Sequence, residues 1–224
     1  MADFKTHVQV ATVLSGVLAS ALAWTELVSL PEACLLWLSG TLGGIMPDID
    51  ADTSRSIEII FRLFGMLAST LMLLYGRLHL PLLDTLLLSA AAYFLMRYPC
   101  CWAFTKLTVH RASLHSLLAN LVFAVAAVVV SHKLFHLSVE HSWLMGLFMF
   151  MGALIHLLLD ELYSIDLEGR RLKKSFGTAL KIMQWPAHLP NLGLLALLWL
   201  GMWLAPSPSG LLIVLRQLLP LLHS

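Results

Sequence analysis

The 224 residues are 59% apolar and 12% charged, with a mean hydropathy of +0.84, about half the charged share of a soluble domain. A formal net charge of +1 argues against a strongly basic nucleic-acid surface. No polar block is long enough for a second globular unit, so one integral membrane domain over 1–224 is expected. The three cysteines, Cys34, Cys100 and Cys101, lack metal-type spacing and read as small packing residues, not as a disulfide framework or zinc ribbon.

A hydrocarbon core takes about 20 apolar residues per helix, and backbone polar groups in lipid must be satisfied within the segment, so long apolar runs predict helices. In chain order the runs are 8–28, 33–46, 57–76, 81–98, 114–135, 142–163 and 190–205. The first follows Lys5 and precedes Ala21-Leu22-Ala23, a pattern with some likeness to a signal peptide. Its length favours a retained spanning helix. The second and seventh are short. A last segment, 210–222, carries Arg216 and Pro220 and reads as an interfacial helix or a poor eighth span. The predicted fold is therefore all-α: a polytopic transmembrane helix bundle of about seven spans plus a C-terminal interfacial helix. Pro31, Pro81, Pro99 and Pro190 are expected at helix ends. Trp24, Tyr75, Tyr98, Trp102, Trp143 and Tyr163 read as interfacial anchors. Asp52, Thr53 and Ser54 read as caps for the third helix, and Ser113 as the cap of the fifth.

Basic residues set the expected orientation. With the N-terminus cytoplasmic, eleven Lys and Arg fall on the inner side, five of them in a loop at 164–189, against Arg77, Lys133 and Arg216 outside. Ionisable groups at membrane depth are costly and mark candidate functional sites. His7 opens the first helix, and Asp48 and Asp50 follow Pro47 at the end of the second. His110 and His115 lie at the start of the fifth, and His156 and Asp160 at the end of the sixth. Under that topology all four groups share one membrane face. His156 and Asp160 are one helical turn apart and can reach the same ion. Asp48 and Asp50 would repel unless a cation or a proton lay between them. The remaining histidines, His79, His132, His136, His141, His188 and His223, read as structural.

The order His7, Pro47-Asp48-Ile49-Asp50, His110-Arg111-Ala112-Ser113-Leu114-His115-Ser116 and His156-Leu157-Leu158-Leu159-Asp160 resembles the YdjM-like family of predicted inner-membrane, metal-dependent hydrolases. The resemblance spans about 7–177 and includes Asp160-Glu161-Leu162-Tyr163-Ser164 and Lys173-Lys174-Ser175-Phe176-Gly177. It implies a multi-pass protein of the inner (cytoplasmic) membrane.

The expected site has His7, Asp48, Asp50, His110, His115, His156 and Asp160 around one or two divalent ions. That donor set suits zinc, manganese or iron. Asp50 is the candidate general base and Arg111 the candidate catalytic phosphate clamp. Arg111, Lys173 and Lys174 are candidates for binding an anionic head group. The expected activity is hydrolysis of an amphiphilic substrate, first of all a lipid phosphoester, with membrane lipid as the partner and no nucleic acid. The alternatives are a metal-ion or proton-coupled transporter, which needs polar groups at the midplane, and a non-catalytic membrane scaffold.

Overall fold

A computed structural model describes residues 3–50, 55–103, 114–166, 171–172, 180–183 and 188–218. Among the described residues, every regular element beyond one minimal strand pair is helical: α1 Phe4–Trp24, α2 Leu30–Gly43, α3 Arg55–His79, α4 Leu82–Leu95, α5 Leu117–Lys133, α6 Val139–Leu162, α7 His188–Leu204 and α8 Ser209–Leu218. The predicted runs all become helices, and the chain is an all-α membrane bundle. Among the described residues, four segments can each cross a membrane by length and hydropathy: Phe4–Trp24, Ile57–His79, Leu82–Ala103 and Val139–Leu162. The helices α5 and α7 are apolar but have 17 residues each, and α2 has 14. At 1.5 Å per residue these are about 25 and 21 Å long, a little short of a 30 Å hydrocarbon core. The ten residues of α8 reach only about 15 Å, too short for an eighth span. Large apolar side chains point outward along the helices, among them Val13, Val17, Leu74, Leu87, Phe94 and Leu197. In water they would form an aggregating surface; in a bilayer they meet acyl chains.

The chain divides into two compact units, 1–47 with 113–224 and 48–112. In the smaller unit α3 and α4 form an antiparallel hairpin. Ser89 Oγ donates to the Ser69 carbonyl at 2.8 Å, and the two hydroxyls lie 2.9 Å apart, the kind of bond that joins helices where water is absent. Pro99 does not end α4. The helix passes through a π turn at Met96–Cys100 and continues to Ala103, because proline removes one N–H and widens the ladder locally instead of stopping it.

In the larger unit α6 packs against α1, α2, α5 and α8. Glycines set the approach of its neighbours. A Cβ on Gly152 would collide with the Gly40 carbonyl oxygen, and one on Gly44 would collide with Ala11 Cβ. Small residues at such crossings let helix backbones come close in lipid. Trp143 is buried, and its indole N–H donates to the Ser207 carbonyl at 3.0 Å. It joins α6 to the turn before α8 and is not an interfacial anchor. The cap of α5 is Ser116, not Ser113: its hydroxyl accepts from the Ala119 N–H at 3.3 Å. The N–H groups of Leu117 and Leu118 donate to the carbonyls of Lys181 and Ile182 at 3.0 Å, so the segment 180–183 satisfies the next two donors of that helix end. The loop expected at 164–189 contains the strand pair Ile165–Asp166 with Arg171–Leu172. The predicted caps Asp52, Thr53 and Ser54 lie outside the described residues.

Candidate metal centre

Four predicted residues meet at one end of the larger unit. His7 is in the first turn of α1. His115 directly precedes the Ser116 cap of α5, so it stands just outside that helix and not in its first turn. His156 and Asp160 are in the last two turns of α6. Antiparallel packing places the start of α1, the end of α2, the start of α5 and the end of α6 together, as the alternation of spans requires. All four residues are buried, none more than 8% exposed.

Asp160 is the hub. Its Oδ1 lies 3.3 Å from His7 Nε2, and its Oδ2 lies 3.7 Å from His156 Nε2 and 3.8 Å from His115 Nε2. The His7 and His156 rings stack, with centroids 3.7 Å apart and planes 12° from parallel. His115 meets His156 edge-on at 5.4 Å.

The tautomer of His156 follows from its partner. Its Nδ1 lies 2.8 Å from the Gly44 carbonyl oxygen. A carbonyl only accepts, so Nδ1 carries the proton and donates it. In a neutral His156, Nε2 is then a lone pair directed towards the Asp160 carboxylate. At 3.7 Å that approach is too long for a hydrogen bond. Two facing lone-pair donors in a buried place favour a cation between them. A ligating histidine commonly donates its other ring N–H to a backbone carbonyl in this way. Helix polarity adds to the argument: Asp160 lies two residues before the end of α6, where the helix dipole disfavours an anion. His7 Nδ1 is buried and finds no hydrogen-bond partner among the described residues.

The donor set fits a divalent ion. Ligand atoms of His7, His156 and Asp160 all lie within 4.8 Å of one another. Around a tetrahedral ion with bonds of about 2.0–2.1 Å, neighbouring ligand atoms are about 3.3 Å apart. The separations of 3.3 Å from His7 and 3.7 Å from His156 to the Asp160 carboxylate are within a few tenths of an ångström of that spacing, and His115 lies 3.8 Å from the same carboxylate.

The other predicted residues divide into two groups. Asp48 is half-buried in the 3-10 turn Met46–Asp50, the first residue of the smaller unit, and Asp50 closes that turn. His110, Arg111, Lys173 and Lys174 lie outside the described residues, as does the side chain of Asp50. Sequence reasoning missed Asn120 of α5, which is fully buried; an amide inside the apolar run Leu117-Leu118-Ala119-Asn120-Leu121 was the available signal.

Fold and site together define a helical membrane protein with a buried His/Asp group able to hold a metal ion. The family model described as YdjM inner membrane protein matches residues 1–215, and the chain belongs to that family. No curated protein and no solved structure matches it.

Proposed function

We propose that this chain is a membrane-bound, metal-dependent hydrolase whose ion is held by His7, His115, His156 and Asp160, and that it acts on an amphiphile, first of all a lipid phosphoester. The observation that carries the reading is the bond from His156 Nδ1 to the Gly44 carbonyl, 2.8 Å long, because it turns the Nε2 lone pair towards a buried carboxylate. When bound, a divalent ion would polarise a scissile ester and lower the pKa of a water molecule. Asp160 is the group most consequential to this arrangement, since three imidazoles face it. Asp48, Asp50 and His110 are the residues for a second ion, with Asp50 as base. Arg111, Lys173 and Lys174 supply the positive charge for an anionic head group. Eleven of the fourteen basic residues fall on the side of the candidate site when the N-terminus is cytoplasmic, which supports a site facing the inner leaflet.

The test is metal analysis of detergent-purified protein together with turnover of phospholipid substrates. Wild type should retain near-stoichiometric zinc, manganese or iron and release product. Asp160→Asn should lose both. Wild type that holds no ion after reconstitution with each of the three metals would refute the proposal.

A further inference from the structure

The interior of the larger unit holds a polar group that neither helix packing nor the four-residue cluster uses. Asn120 is 0% exposed, and neither its Oδ1 nor its Nδ2 has a hydrogen-bond partner among the described residues. A buried amide with both ends unmet is costly. Native proteins resolve such cases with an ordered water, an ion or a ligand.

Its position follows from the helix contacts. Ser116, Asn120, Ala124 and Val128 succeed one another at intervals of four, down one side of α5. Ala124 and Val128 touch α6 at Gly146, so Asn120 also belongs to the side of α5 that meets α6. The helices run antiparallel. Counting from that contact at 1.5 Å per residue puts Asn120 about level with Gly152 and Ala153, roughly 6 Å deeper than His156. Side chains on a helix lean towards its N-terminus. His156 and Asp160 therefore lean deeper, towards Asn120, while Asn120 leans outward, towards them. Along the helix axes, then, Asn120 and the His156–Asp160 pair lean towards the same level.

We propose that Asn120 is a positioning residue of the candidate metal centre: its carboxamide anchors a water molecule that is also a ligand of the ion. This inference rests on the metal reading above. A second polar group in lipid-buried protein is best satisfied by sharing a water with the ion's shell, and groups just beyond the ligands fix metal sites in this manner.

The experiment loads full-length protein in detergent with Mn²⁺, exchanges it into D₂O, and records electron–nuclear coupling for wild type, Asn120→Leu and Asn120→Ala. Wild type should show imidazole ¹⁴N couplings and an ordered exchangeable deuteron on the ion. Both variants should keep the ¹⁴N couplings, lose or broaden the deuteron coupling, and bind Mn²⁺ about tenfold more weakly. An unchanged deuteron coupling and affinity in a folded variant would overturn the role of Asn120 and leave the metal site standing. Should neither variant fold, wild type still decides: ¹⁴N couplings without an ordered deuteron overturn the proposal, and with one they support it. Absence of any ¹⁴N coupling in wild type removes the metal site itself, and this inference with it.

Discussion

Helix α6 carries a histidine–carboxylate pair at each end, at nearly the same separation. At its start His141 Nε2 lies 3.2 Å from Glu32 of α2, with side chains 27% and 31% exposed. At its end Asp160 lies 3.3 Å from His7 Nε2 of α1, with both side chains 2% exposed. The outer pair has a local reason for each group. Glu32 closes a capping box with Ser29, accepting from its backbone N–H at 2.8 Å, and the His141 ring lies 2.8 Å from the Ser138 hydroxyl that caps α6. The inner pair draws in two further imidazoles. Distance alone does not separate a structural ion pair from a candidate site. Burial, the number of converging donors and the fixed tautomer do.

The comparison breaks most sharply at Asp160. Asp160→Ala should weaken divalent-metal binding by more than about 100-fold, since it removes the group that all three rings face; isothermal titration of metal-stripped protein measures it. Next is Gly152→Leu, which forces α2 away from α6 beside the inner pair. It should cost about 1–3 kcal/mol or more, visible as a lower melting temperature in detergent, with weakened metal binding because Gly44 no longer meets His156. Glu32→Gln should cost only about 0.5–1 kcal/mol and leave metal affinity unchanged; a metal defect in that variant would erase the distinction between the ends.

The smallest effect belongs to Asp3, which caps α1 by accepting from the Thr6 N–H at 2.8 Å. Its hydrogen bonds to Thr6 hold its carboxyl below the ordinary value of 3.8. The ionised form therefore favours the folded state. This contribution is present above the unfolded value and fades as pH falls through the lower folded one. Asp3→Asn should lower the melting temperature slightly near neutral pH, flatten that acid limb, and change nothing below the folded value.

The helices were legible because an apolar run in lipid has one way to satisfy its backbone. The clustering of His7, His115, His156 and Asp160 was legible through parity: alternating spans put the start of the first, the start of the fifth and the end of the sixth at one end. Other features depend on packing that no local pattern encodes. Gly152 and Gly40 look like ordinary small residues until their backbones are seen to touch. The partner of His156 is a carbonyl 112 positions away, and a carbonyl leaves no mark in a side-chain motif. Pro99 read as a stop because proline usually ends a helix, whereas the apolar residues beyond it kept α4 going through a π turn. Trp143 read as an anchor from its place near a helix end, but its side chain is buried and its indole donates to the Ser207 carbonyl.

The central claim, that three histidines and one aspartate hold a single divalent ion, is tested most directly by X-ray absorption of the zinc-loaded protein. The account predicts about three imidazole nitrogens and one carboxylate oxygen at about 2.0–2.1 Å, with one nitrogen fewer in His156→Ala. A zinc shell without imidazole scattering, or one unchanged in His156→Ala, would contradict it.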